Sequence, residues 1–198
     1  MISRRRMSVL LLLPLLMCLA ACKIDSVNPI SPLESAQPDP ALYGLWRHRA
    51  KGELTYVHIG PEFSLRAGAA AAADPRTRIV LVDHKPNGIT DEAHVAYASR
   101  IGRQRYLNVV QVDEGRPVGY LFVRYTLIDA NTLRFSTMNE EALKAAIGAG
   151  RIRGTTRGDG LASETAITAG SAEIENFLKS DGAKLFTTPV VLRRVQDR

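Results

Sequence analysis

The chain has 198 residues, 45% of them hydrophobic and 23% charged, which excludes a disordered polypeptide and suits one well-packed domain. Its formal charge is +6, with Arg4, Arg5 and Arg6 grouped at the start. No Lys/Arg cluster interleaved with aromatics follows, so nucleic acid is not an expected partner.

The first 21 residues have the three-part layout of a secretory signal. The three arginines open it, Val9 to Leu19 is an apolar run broken by Pro14, and the small residues Ala20 and Ala21 precede Cys22. The run is short for a membrane span, which needs about 20 apolar residues. Leu19-Ala20-Ala21-Cys22 resembles the lipobox of bacterial lipoproteins. The resemblance implies diacylglyceryl transfer to the Cys22 sulfur, cleavage before Cys22 and acylation of the new amine. Ser3-Arg4-Arg5 also admits a twin-arginine route, but the strongly apolar run fits general secretion better.

Lipidation implies attachment to a bilayer, because two or more acyl chains anchor lastingly where one does not. In lipoproteins of bacteria with two membranes, an aspartate after the lipidated cysteine favours the inner membrane. Lys23 stands there, so the resemblance points to the inner leaflet of the outer membrane, facing the periplasm. Cleavage would leave Cys22 as the sole cysteine, excluding an internal disulfide, thiol catalysis and thiolate metal sites. It would also leave 23 Lys and Arg against 20 Asp and Glu.

Residues 22–41 carry Pro29, Pro32, Pro38 and Pro40 among polar residues, and this spacing predicts an extended tether after the lipidated cysteine. A single β-rich domain is expected over 42–198. Leu42 to His48 and Glu53 to Ile59 read as a hairpin, ended by Gly60-Pro61. Phe63 to Arg78 is expected to be loop, with a short helix over Gly68 to Ala73 as the alternative. Strands are expected over Arg78 to His84, His94 to Arg100 and Arg105 to Val112. A longer strand opens at Pro117, with Leu121, Val123, Tyr125 and Leu127 on one face. Thr132 to Ser136 returns after a turn at Asp129-Ala130-Asn131.

The period then becomes helical. Asn139 caps a helix bearing Leu143, Ala146 and Ile147, stopped by Gly148 and Gly150. Gly154 to Gly160 reads as a loop and Thr165 to Thr168 as a short strand. A second helix, with Ser171 as its expected cap, carries Ile174, Phe177 and Leu178 and ends at Gly182. Val190 to Val195 is the last strand. Leu42, Trp46, Leu54, Leu121, Val123, Leu127, Leu143, Phe177 and Leu178 are the expected core.

Catalytic motifs are missing from this sequence. There is no Gly-x-Ser-x-Gly, Ser-x-x-Lys or His-Glu-x-x-His, and no phosphate-cradling glycine loop opens a helix. The histidines are His48, His58, His84 and His94. A metal site would need His48 facing His58 across the first hairpin, or Asp83, Asp91 and Glu92 adding carboxylates; neither a metal nor another cofactor is expected. Arg151 and Arg153 read as a solvated face rather than an anion site.

Gly44-x-Trp46 on the first long strand resembles the opening strand of lipocalins and related calycin barrels, where this pair closes the barrel floor. The resemblance implies a mainly antiparallel β, half-open barrel, here with two short α-helices near the C-terminus. The wider pattern, including Tyr106-Leu107-Asn108 and Leu185-Phe186, resembles uncharacterised proteobacterial lipoproteins and brings no activity with it. The expected function is a non-enzymatic accessory or assembly factor binding another envelope protein. The alternative is a binder of a small apolar ligand, which an open apolar cavity of a few hundred Å³ would favour.

Overall fold

β-Branched and aromatic residues in alternating runs give this chain its strands. The computed structural model describes residues 24–50, 52–62, 74–158 and 164–196. The expected signal segment, Cys22, Lys23 and residues 63–73 of the expected loop lie outside these. Among the described residues the strands are β1 (Ile24–Ser26), β2 (Gly44–Ala50), β3 (Glu53–Pro61), β4 (Arg76–Lys85), β5 (Gly88–Ile101), β6 (Gln104–Asp113), β7 (Arg116–Asp129) and β8 (Thr132–Thr137). Helix α1 (Glu140–Gly148), β9 (Gly154–Arg157), β10 (Glu164–Ile167), helix α2 (Ser171–Asp181) and β11 (Val190–Arg194) follow.

Seven strands, β2 to β8, form an antiparallel meander, and β11 inserts between β8 and β2. Pairing of β6 with β7 completes a ring of eight, so the protein is a lipocalin-like antiparallel barrel with two short helices. Closing the sheet on itself removes the exposed edges that a flat sheet would leave open to aggregation. A branch of β1, β10 and β9 leaves the ring at β7, where Ser26 stands opposite Tyr120.

The ring is zipped fully at one end only. The β5–β6 ladder runs from Ile101–Gln104 to Ala96–Val109, although β5 continues back to Gly88 and β6 on to Asp113. The β2–β11 ladder holds only Arg194–Trp46 and Arg193–Arg47. Towards the far end, β2–β5 and β6–β7–β8–β11 therefore part along two seams. The half-open barrel expected from sequence is corrected to a closed ring of eight strands in which two ladders stop short of one end.

The zipped end is a filled floor. Trp46 is fully buried, and its indole N–H donates to Leu42 O at 2.8 Å. The Arg194 guanidinium lies over the ring, 4.1 Å from its centroid. Arg194 also donates to Ala130 O and Ala41 O, each at 2.8 Å, and to Tyr43 O. Gly44 has φ +132°, and a Cβ there would lie 2.5 Å from the Arg194 guanidinium, which those carbonyls hold in place. The glycine two residues before Trp46 is thus required for the arginine to reach the ring. Tyr125, buried beside them, donates to Asp39 at 2.8 Å, and Arg105 pairs with the same carboxylate at 3.1 Å.

The tether expectation is corrected here. Residues 24–42 are folded onto the barrel: β1 joins the sheet, short 3₁₀ turns span Leu33–Ser35 and Pro40–Leu42, and Ile30 and Leu42 are buried. Prolines suppress helix, but they do not prevent a chain from lying in an apolar groove when its N–H groups find partners. Buried Asn108 supplies one, accepting from Ile30 N at 2.8 Å while donating to Ser99 Oγ at 2.7 Å. Asn28 donates to Ala169 O at 3.0 Å, and Tyr97 to Ser31 O at 3.1 Å. The outer face of β5–β7 is therefore as buried as the inner one: Tyr106, Phe122 and Asn108 lie under this segment and α2.

Two local expectations also change. Gly154–Arg157 is a strand pairing with β10, because its threonines suit a pleat and the glycine accepts close approach of Ile147. The cap of α2 is Gly170; Ser171 instead donates to Pro29 O at 2.7 Å, tying the helix to the N-terminal segment. Asn139 caps α1 as expected, accepting from Ala142 N at 2.9 Å. Of the expected core, Leu54 and Leu127 are only half-buried, and Leu127 still packs against the interior cluster.

Candidate binding cavity

Above the floor the strands' inward residues change from large to medium-sized, and space opens. A cavity of about 460 Å³ fills the part of the barrel nearer the seams. Its wall is mainly aliphatic, with Val57, Ile79, Leu81, Leu107, Val109 and Leu121 among the lining residues and Phe135 the aromatic one. These residues follow from alternation: the inward set of each strand faces the lumen and its neighbours face out. The size lies within the 300–1,000 Å³ range of small-molecule sites.

Polar groups gather in two places. Thr137, Asn139, Thr187 and Thr188 line the side where β8 leaves for α1 and the chain enters β11. Thr187 Oγ1 donates to Thr137 O at 3.2 Å, and the Asn139 side chain is engaged in capping. His94 and Gln111 line the opposite side, on β5 and β6. Each lies two residues beyond the last pair of the β5–β6 ladder, Ala96–Val109, so they flank the seam.

Four buried side-chain polar atoms have no hydrogen-bond partner among the described residues, and two are Nε2 of His48 and His94. The Nε2 of His94 lies 3.4 Å from Glu92 Oε2, close enough for attraction but not aligned as a hydrogen bond. His48 stands at the other seam, where its Nδ1 meets Val191 O at 2.9 Å just past the Arg193–Arg47 pair.

The other histidine arrangements do not form. His48 is opposite Thr55 and His58 opposite Leu45, so the two project from opposite faces of the hairpin. The His84 ring packs edge-on to Tyr56, centroids 5.6 Å apart. Among the described residues no three His, Cys, Asp or Glu gather as a metal would require. Arg151 pairs with Asp181, and Arg153 with Glu173 at 2.7 Å, so both tie the β9 approach to α2. The Arg153 backbone N–H, and after it the guanidinium, hold the Glu173 carboxyl below its usual range.

The place of His94 in the cavity wall was not legible in sequence, where it appeared only as a member of a histidine and carboxylate series. The available signal was parity: His94 shares the inward phase of Ala96, and Gln111 that of Leu107 and Val109.

No family model, curated protein or solved structure matches the chain. Among the described residues, no helix is long and apolar enough to cross a membrane.

Proposed function

We propose that this protein is a non-enzymatic binder that holds a small apolar ligand inside its barrel, carried on an envelope lipoprotein anchored through Cys22. The observation that supports the binder is the aliphatic cavity of about 460 Å³, set between a filled floor and two seams. Burying a ligand against such a wall is worth about 25 cal/mol per Å² of apolar surface removed from water. The lipobox resemblance at Leu19–Cys22 supports the anchor and with it a periplasmic setting at the outer membrane.

The test is to purify the full chain from membranes, extract it with organic solvent, and identify what is recovered by mass spectrometry. Wild type is expected to carry one apolar species in near-stoichiometric amount. Leu121→Trp, which fills the cavity, is expected to lose it while keeping its β circular dichroism. Equal recovery from both would reject the cavity as the binding place. For the anchor, Cys22→Ala is expected to leave an unprocessed chain without lipid.

A second reading, an accessory factor docking another envelope protein, draws on exposed apolar residues near the hairpin turns at the mouth. Ile89 is 65% exposed, Val112 58% and Val118 56%. Single apolar residues are ordinary on protein surfaces, which makes this the weaker support.

A further inference from the structure

We infer that the ligand carries a hydroxyl head group, and that this head sits at the β5–β6 seam between His94 and Gln111. The inference rests on the binder reading above and adds the ligand's chemistry and orientation to it.

The argument begins with the Nε2 of His94. A buried polar atom left without a hydrogen bond carries a penalty of about 1–3 kcal/mol, so such atoms are rare unless something else partners them. This one belongs to a residue lining an aliphatic cavity, and Gln111 lines the cavity from the facing strand. The two residues lie just past the last rung of the β5–β6 ladder. Main-chain pairing is lost at that level, so a guest can take the place of the missing rungs.

The pair of side chains selects the head. A neutral imidazole Nε2 is a donor in one tautomer and an acceptor in the other, and a primary amide offers both roles. A hydroxyl donates and accepts, so it satisfies Nε2 in either tautomer and Gln111 through either amide atom. A carboxylate only accepts, and it would stand near the Glu92 carboxylate, which is 3.4 Å from the same nitrogen. A bare hydrocarbon would leave Nε2 without a hydrogen bond, beside only the unaligned Glu92 carboxylate. The aliphatic residues below, Val109, Leu107 and Ile79 among them, receive the tail. Head at the seam and tail towards the floor is the orientation that leaves no polar group of a chain alcohol in the aliphatic part.

The test titrates the full chain, held in a bulky-headed detergent, with decanol, decanoate at pH 7.5 and decane, following histidine ring ¹H–¹⁵N shifts. Decanol is expected to move the His94 resonance and to bind about tenfold more tightly than decane or decanoate, the worth of one hydrogen bond. His94→Leu is expected to weaken decanol about tenfold and leave decane within about twofold, while His94→Gln restores part of the loss. If decane binds wild type as tightly as decanol, or decanoate binds more tightly, the hydroxyl assignment is wrong and the cavity reading stands. If His94→Leu weakens decanol and decane equally, the histidine shapes the cavity and does not hold the head. If none of the three binds wild type, the binder reading itself fails.

Discussion

The floor and the mouth of this barrel are built from the same strands yet follow opposite rules. At the floor every strand pairs with both neighbours, the lumen is filled by Trp46, Tyr125 and Leu133, and the polar atoms of Trp46, Tyr125 and Arg194 are all hydrogen-bonded. At the mouth two ladders stop early, the lumen widens into the aliphatic cavity, and one buried histidine nitrogen at each seam has no hydrogen-bond partner among the described residues. A complete hydrogen-bonded ring fixes shape, and relaxing it at one end leaves room for a guest without giving up the fold. Dense packing lies at one end of the barrel and the cavity at the other.

Substitutions can break or sharpen this contrast. The largest effect is expected at the floor, where Trp46→Ala should cost about 3–5 kcal/mol in denaturant unfolding. It removes a fully buried ring and leaves Arg194 without its platform. Asn108→Ala should cost about 1–3 kcal/mol, since Ile30 N–H would be left buried without its acceptor. Hydrogen exchange should then rise first in residues 28–36. For a matched pair, Leu133→Ala should cost at least about 1 kcal/mol more than Leu81→Ala. Leu133 is fully enclosed, whereas Leu81 already borders empty space; equal costs would mean the mouth is packed as tightly as the floor.

The smallest expected effect has the opposite sign. Arg47 and Arg193 stand directly opposite each other at the last rung before the β2–β11 seam, a like-charge pair that weakens the ladder. Arg47→Glu should raise stability by about 0.2–1 kcal/mol and slow amide exchange in His48–Ala50.

Two buried tyrosines, Tyr125 in the floor and Tyr97 under the N-terminal segment, set the alkaline limit. Burial and the neighbouring Asp39 carboxylate raise the pKa of Tyr125, and burial raises that of Tyr97. Both are neutral when folded, so their contribution is intact below the free tyrosine value of about 10. It is lost as pH rises beyond that towards the raised folded values. Unfolding followed by circular dichroism should therefore set in above about pH 10, accompanied by the absorbance change of ionising tyrosine.

Much of the barrel was readable from alternation. Most strands from Glu53 onward, β9 and the first half of β5 excepted, and the Asn139 cap followed from local pattern, because each depends on residues close together in the chain, whereas a floor position for Gly44-x-Trp46 was implied by the calycin resemblance. What escaped was set by distant partners. Arg194 is 148 positions from Trp46, so nothing near either residue marks their contact. Residues 24–41 look like a linker by composition, and only the groove over β5–β7 gives Ile30 a place to be buried. The first half of β5 carries Asp91 and Glu92, which mask a strand until its pairing with β4 is known. The cavity depends on where ladders end, which no residue pattern states.

Incorporation of the N-terminal segment has a mechanical consequence for the proposed anchor. Ile24 is already locked in register opposite Thr165, two residues after Cys22. Two extended residues span at most about 7 Å. An acylated Cys22 would therefore act as a short rivet rather than a leash. The barrel could neither swing far from the lipid surface nor turn freely upon it, and its mouth would keep a restricted set of angles to the bilayer.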